Sequence, residues 1–217
     1  DGVGTVMETL KKHGIDDDTI VIFAGDQGWM GGQNGFFGMG DHTRPIAAHD
    51  LMMQVPLIIR HPQKVTPGQT DILVSNCDFL PSLLDHLGLQ ARIPATPKLS
   101  GRSFAKVLRG EPIDWETAMY YEMESCRSVR TEDWKYVARK SPDGPSELYD
   151  MKNDPHERFN LFGQPQQANI QAALALQLND FFEEYADPKY DIWKGGRSKA
   201  RRLVAPEGHP DYRPPLN

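Results

Sequence analysis

The feature that most constrains this chain is a pair of apolar β runs that bracket a glycine-rich loop. The first run is Ile20-Val21-Ile22-Phe23-Ala24, and the second is Val55-Pro56-Leu57-Ile58-Ile59. The first run breaks at Gly25, and Asp26 and Gln27 follow directly. A continuous apolar strand is typical of an α/β sheet, and such sheets gather their ligands at the carboxyl ends of the strands. The stretch therefore predicts an α/β core with polar groups at a functional edge.

Asp26 and Gln27 place a carboxylate and an amide oxygen side by side. Both are hard oxygen donors, the kind that Ca²⁺ and Mg²⁺ prefer. Asp-x-Gly is also common turn chemistry, and a simple turn is the better interpretation of the pair taken alone. The pair alone does not distinguish a metal site from a turn, so the choice depends on the motifs around it.

The charge and the apolar pattern exclude several classes of protein. The 217 residues carry a formal net charge of −6, so the chain has no basic footprint for nucleic acid or an anionic membrane. Its longest apolar runs are about five residues, far below the roughly 20 of a membrane span. Its two cysteines, Cys77 and Cys126, form neither a disulfide framework nor a metal motif. We expect both to be buried or unreactive thiols.

The pattern of elements changes at Glu111-Pro112, which we take as a domain boundary between residues 1–111 and 112–217. In the first part we predict helices at 3–13, 78–87 and 103–108, with Ser75 or Asn76 capping the second helix, and a short strand at 72–74.

The second part predicts short strands at 118–122, 127–130, 134–138 and 147–149, and an amphipathic helix at 170–185. A turn at 141–145 separates the last two strands. Residues 194–217 form a basic, proline-rich tail. The tail carries four basic residues, Arg197, Lys199, Arg201 and Arg202. The simpler interpretation is that they are solvated, and the alternative is that they attract an anionic substrate.

Two sets of motifs make the chain resemble the sulfatase family of the alkaline phosphatase superfamily. The first set is Gly25-Asp26-Gln27-Gly28 with Val55-Pro56-Leu57-Ile58-Ile59-Arg60-His61-Pro62. The second set is Ser128-Val129-Arg130-Thr131-Glu132-Asp133-Trp134-Lys135-Tyr136-Val137 with Glu147-Leu148-Tyr149-Asp150-Met151-Lys152-Asn153-Asp154-Pro155-His156-Glu157. The resemblance implies an α/β fold: the C-terminal part of an alkaline-phosphatase-like sulfatase core, plus a small α+β subdomain in which one helix packs on an antiparallel sheet.

The resemblance also implies metal-dependent hydrolysis of the sulfate ester of a small molecule or glycan. The residues that match Asp26 and Gln27 bind a divalent cation in the family, usually calcium, with magnesium as the alternative. The family is found in periplasmic, secreted or lysosomal compartments. Two other functions stay open: a phosphonate monoester hydrolase or phosphodiesterase of the same superfamily, and a degenerate, non-catalytic binding module.

The family's nucleophile is a formylglycine, made from Cys or Ser in a Cys/Ser-x-Pro/Ala-x-Arg motif near the N-terminus. This motif is absent here. Cys126-Arg127-Ser128-Val129-Arg130 has Ser128 where Pro or Ala belongs, and it aligns with a structural strand, so we interpret the likeness as chance. The resemblance therefore implies that the chain is roughly the C-terminal half of a sulfatase. Its partner would be the missing N-terminal half, and the fragment alone would be inactive.

The chain departs from the family at a lysine that contacts the sulfate, thirteen residues after the metal aspartate. Counting from Asp26 reaches Met39. His42 and Arg44 are the nearby groups that could supply a proton and positive charge in its place. The alternative is that His42 is a cap or surface residue and Arg44 an ion-pair partner. We expect His49 to pack or to cap a helix.

Overall fold

The computed structural model of the protein describes residues 1–40, 43, 45–140 and 144–196. The first part of the chain carries α1 (Gly2–Lys12), β1 (Val21–Ala24), β2 (Met30–Gly31), β3 (Phe37–Gly38), α2 (Asp50–Met53), β4 (Leu57–Arg60), α3 (Phe79–His86) and α4 (Ala105–Leu108). The second part carries β5 (Ala118–Met123), β6 (Cys126–Thr131), β7 (Trp134–Arg139), β8 (Glu147–Asp150) and α5 (Ala168–Tyr185). None of the helices in these described ranges is long and apolar enough to cross a membrane.

The two apolar runs form β1 and β4, as predicted, and they pair antiparallel with Val21 opposite Arg60 and Ala24 opposite Leu57. The apolar pattern of the two runs does not make β1 a buried strand here, because its first half is half-buried and its second half is exposed. Phe23 is 45% exposed, and Ile58, its partner on β4, is 62% exposed. In the described part of the chain these strands make a sheet of only two, which leaves the faces around Phe23 and Ile58 without cover.

The predicted second helix is α3, and Ser75 caps the 3₁₀ turn that leads into it. Ser75 accepts a hydrogen bond from the Cys77 N–H at 3.2 Å, and Asp78 accepts one from the Ser75 N–H at 2.7 Å. This reciprocal pair is a capping box. Two leucines of α3, Leu80 and Leu87, are exposed, so the apolar face of this helix is only partly covered.

The strand predicted at 72–74 does not form. The carbonyl oxygen of Leu73 accepts a hydrogen bond from the Trp115 indole at 2.8 Å. The prediction is wrong because this extended segment is bonded to a side chain rather than to a neighbouring strand.

The second part is a four-stranded antiparallel sheet in the order β5-β6-β7-β8, with α5 packed on it. This confirms the predicted arrangement. The core between them consists of Val129, Tyr136, Leu148, Leu174, Leu178 and Phe182. Within the predicted turn at 141–145, residues 141–143 lie outside the described residues, as do Arg197, Lys199, Arg201 and Arg202 of the tail.

The two parts share a buried contact. Ile46 and Ala48, from the loop before α2, pack against Cys126 and Val137 of the four-stranded sheet. Arg139 at the end of β7 donates a hydrogen bond to the carbonyl oxygen of Ile46. The loop that precedes α2 is therefore anchored on the C-terminal sheet.

Candidate functional site

Asp26 and Gln27 lie in the loop that follows β1, and both are exposed. The backbone on either side of the pair is held by the segment before β4. The Gly25 N–H donates to the Pro56 carbonyl at 3.2 Å, and the Gly28 N–H donates to the Met52 carbonyl at 2.9 Å. A Cβ atom at Gly28 would lie 2.2 Å from the Leu51 carbonyl oxygen, so only glycine permits this approach. The loop is thus fixed while the two polar side chains stay accessible.

Gln27 contacts Asp26 through its backbone N–H and Met39 through its side chain. The Gln27 backbone N–H donates to Asp26 Oδ1 at 3.0 Å, and its Nε2 donates to Met39 Sδ. An amide that donates through Nε2 keeps its Oε1 as an acceptor or a ligand. The structure therefore brings position 39 to the predicted metal pair.

The donor chemistry of the pair fits a hard divalent cation as a partial ligand set. Calcium takes about six to eight oxygen ligands, more than one aspartate and one glutamine can offer. Within the described ranges, no group of three or more His, Cys, Asp and Glu side chains is arranged to hold a metal ion. Asp26 and Gln27 can therefore hold such an ion only together with further ligands.

His42 and Arg44, the predicted catalytic residues, lie outside the described residues. The described residues next to them form a tight loop. Thr43 is buried, and its hydroxyl donates to the Gly40 carbonyl at 2.7 Å and accepts from the Ala47 N–H at 2.9 Å. This loop begins at Gly40, one residue after Met39, whose Sδ accepts the hydrogen bond from Gln27.

His49 packs, as expected, between the rings of Phe36 and Tyr149, whose centroids lie 5.3 and 6.0 Å from its own. It occupies the N-cap position of α2 without a side-chain capping bond. Burial lowers the pKa of His49, and the positive charge of Lys135 lowers it further. Both effects favour the neutral form of this histidine.

Cys126 lies in β6 and is fully buried. Burial raises the pKa of the Cys126 thiol to about 11, so it carries no thiolate at neutral pH. Because a thiolate is the reactive form, Cys126 is a structural residue, in agreement with the sequence interpretation. Cys77 is exposed.

A cluster of charged side chains lies where α2 meets the four-stranded sheet, and it was not predicted from the sequence. Lys135 is 0% exposed, and its Nζ lies 2.7 Å from Asp50 Oδ1 and 2.8 Å from Glu157 Oε1. Arg130 Nε lies 3.1 Å from Asp50 Oδ2. The signal in the sequence was Lys135, a charged residue placed between the aromatic residues Trp134 and Tyr136.

The two carboxylates of this cluster respond differently to burial. Burial alone would raise the pKa of Asp50, but Lys135 and Arg130 outweigh it, and the pKa is lowered. Burial raises the pKa of Glu157 despite the attraction of Lys135. Asp50 is thus the carboxylate held firmly in its charged form.

Comparison with known proteins identifies the family. A family model described as "N-sulphoglucosamine sulphohydrolase, C-terminal" matches residues 44–184, well over half of the chain. The chain belongs to the sulfatase family. This sulfatase chain is 31% identical over 215 aligned residues to an N-acetylglucosamine-6-O-sulfatase of Bacteroides thetaiotaomicron, with 91% of this chain and 37% of the relative covered. It is 30% identical to a choline-sulfatase of Rhizobium meliloti, with 94% and 39% covered.

Solved structures give the same result. One, a protein in complex with its substrate D-glucosamine-2-N,6-O-disulfate, matches with a TM-score of 0.70 and 31% identity over 86% of this chain and 39% of that chain. The phosphonate monoester hydrolase of Agrobacterium radiobacter matches with a TM-score of 0.69 and 26% identity over 85% and 39%. The α/β fold of the C-terminal region of a sulfatase is thereby confirmed. The chain spans about two fifths of the length of these relatives.

Proposed function

We propose that the full-length gene product containing this chain hydrolyses sulfate esters with the help of a divalent cation. Residues 1–217 would supply part of the metal and sulfate site. The observation that carries the proposal is the Asp26–Gln27 pair, which is accessible, rests on a fixed loop and contacts Met39. Membership of the sulfatase family supports sulfate ester hydrolysis as the reaction that this pair would serve.

Asp26 and Gln27 would bind the cation through carboxylate and amide oxygens, with calcium as the first candidate and magnesium as the second. A bound divalent cation would supply positive charge to the sulfate oxygens. Asp26 is the stronger donor because it is charged, whereas Gln27 Oε1 would contribute a neutral oxygen. The hydrogen bond from Gln27 Nε2 to Met39 orients that amide.

His42 and Arg44 would serve the sulfate group and the leaving alcohol. A histidine can donate a proton to the alcohol, and an arginine can hold two sulfate oxygens at once. The support is their place in the loop that starts directly after Met39, the position at which the resemblance implies a lysine.

The N-terminal half of the same protein would complete the site with a formylglycine nucleophile and further metal ligands. Its support in this structure is the apolar surface left open around β1 and β4, where Phe23 and Ile58 are exposed. Exposed apolar patches of this kind mark contact surfaces. For residues 1–217 alone we expect no turnover of an aryl sulfate, because Cys126 is a buried thiol in a strand.

The substrate would be a sulfated sugar. A relative named for N-acetylglucosamine 6-O-sulfate and a structural neighbour bound to D-glucosamine-2-N,6-O-disulfate both support this class. The phosphonate monoester hydrolase neighbour favours a second candidate, the hydrolysis of phosphonate monoesters.

One comparison separates these functions. The full-length gene product is assayed with N-acetylglucosamine 6-sulfate, 4-nitrophenyl sulfate and a phenyl phosphonate monoester, each with and without added calcium. We expect kcat/KM to be highest for a sulfate ester. A higher value for the phosphonate would favour the second candidate, and no turnover of any of the three would favour a binding module.

A further inference from the structure

The short helix α2, Asp50–Met53, contacts both the C-terminal sheet and residues 25–28, the loop that carries Asp26 and Gln27 and is called the metal loop below. At its first residue, the Asp50 carboxylate contacts Lys135 of β7, and its backbone N–H donates to Glu157 Oε2 at 2.7 Å. Two residues further on, the Met52 carbonyl accepts the hydrogen bond from Gly28. One helical turn thus links a buried ion pair to the residue after Gln27.

The contact between α2 and the metal loop leaves little room for adjustment. The space beside Gly28 is closed by the Leu51 carbonyl oxygen, which would lie 2.2 Å from an added Cβ atom. Met52 is buried in a cluster with Met30 and Ala47. Because packed interiors shift as units, a displacement of α2 would carry Gly28 with it.

At the first residue of α2, the Asp50 carboxylate, which is 25% exposed, faces the fully buried Lys135. Lys135 is 0% exposed and faces Asp50 and Glu157, while Arg130 faces Asp50 from β6. Charges attract more strongly at a partly buried site than in water, and removing Asp50 leaves the buried Lys135 with Glu157 as its ion-pair partner. Asp50 is therefore the group through which the sheet fixes α2.

We propose that Lys135, Asp50 and Glu157 are positioning residues that hold Asp26 and Gln27 in metal-binding geometry through α2. The inference rests on the proposed function, since it assigns a purpose to the fixed loop. None of the three residues is assigned a contact with the metal or the sulfate ester. Their effect is transmitted by the hydrogen bond from Gly28 to Met52.

The chain offers a matched control in a second buried ion pair. Arg127 Nη2 lies 2.7 Å from Asp191 Oδ1, and their side chains are 7% and 0% exposed. This pair ties β6 to the segment after α5, and Arg127 also packs over the rings of Phe182 in α5 and Trp193 after it. Its loss should weaken the sheet without acting through α2.

The test compares Asp50→Asn with Asp191→Asn in the full-length gene product, at a temperature at which both variants are folded. Three quantities are measured: amide exchange of residues 25–29, calcium affinity by titration, and kcat/KM for 4-nitrophenyl sulfate. We expect both variants to unfold at lower temperature than the wild type. Only Asp50→Asn should speed the exchange of the Gly28 amide and weaken calcium binding by about tenfold or more, as loss of an outer-shell partner does.

The outcomes separate this proposal from the proposed function. Faster Gly28 exchange in Asp50→Asn, together with a wild type that neither binds calcium nor turns over, would overturn the function and leave the structural link standing. A wild type that binds calcium and turns over, with Asp50→Asn indistinguishable from Asp191→Asn in all three quantities, would overturn the positioning role. If Asp50→Asn does not fold, Glu157→Gln weakens the same cluster and takes its place under the same criteria.

Discussion

The Nε2 group of Gln27 donates a hydrogen bond to the Sδ atom of Met39. Position 39 is the one at which the family resemblance implies a lysine that contacts the sulfate. The contact shows that the thirteen-residue spacing brings this position to the Asp26–Gln27 pair in three dimensions. Met39 offers no positive charge there.

We predict that Met39→Lys in the full-length gene product raises kcat/KM for an aryl sulfate. A new cation beside the sulfate should stabilise the negative charge of the transition state, and a tenfold gain corresponds to about 1.4 kcal/mol. Met39→Leu serves as the control, because it keeps size and apolar character without adding charge. Equal kcat/KM for the Lys and Leu variants would mean that position 39 does not reach the sulfate.

His42→Ala should lower kcat on the order of a hundredfold, about 3 kcal/mol of barrier, because it removes the proposed proton donor. Arg44→Ala should act more on KM, because it removes a contact with the ground-state sulfate as well. Both are measured as steady-state kinetics on an aryl sulfate.

The alternative is that His42 and Arg44 only stabilise the loop. In that case the activity of each variant should fall only as its thermal stability falls. Assays at a temperature where His42→Ala is fully folded separate the two accounts. A kcat within about twofold of the wild type there, well under 1 kcal/mol of barrier, would rule out the catalytic role.

His49 predicts a pH dependence of stability. Burial and the charge of Lys135 lower the pKa of this imidazole in the folded protein, whereas the unfolded chain titrates near the ordinary value of about 6.5. The unfolded state therefore binds the proton more readily, so the stabilising contribution is complete above about pH 6.5 and is lost as the pH falls below it.

Urea unfolding between pH 5 and 8, a window spanning about 1.5 units either side of that value, measures this effect. His49→Phe keeps a ring between Phe36 and Tyr149 but cannot titrate, so its stability should fall less steeply below pH 6.5 than that of the wild type. Parallel pH curves for the two proteins would show that His49 does not contribute to the slope.

Local patterns predicted much of this fold because they act over short distances. The apolar runs predicted β1 and β4, and Ser75 or Asn76 before an apolar helix predicted a cap, which Ser75 makes on the 3₁₀ turn ahead of α3. The Lys135–Asp50 pair was not predictable in this way, because its partners are 85 residues apart in sequence. Nothing near Asp50 indicates that a buried lysine will face it.

The same limit applies to which apolar residues are buried. Helical spacing places Leu80 and Leu87 on an apolar face, but which surface covers that face depends on packing rather than on spacing. At the candidate site, the motif predicted the position of Asp26 and Gln27 after β1. The backbone bonds that fix this loop, from Gly25 to Pro56 and from Gly28 to Met52, required the structure.

The most direct test of the account is the calcium content and aryl sulfate turnover of Asp26→Ala in the full-length gene product. Asp71→Ala is the control, since it removes an exposed carboxylate from a loop elsewhere in the chain. Asp26 is exposed, so the fold should be retained in both variants. The account predicts that Asp26→Ala loses most of its bound calcium and its turnover while Asp71→Ala keeps both; calcium content and turnover unchanged in Asp26→Ala would contradict it.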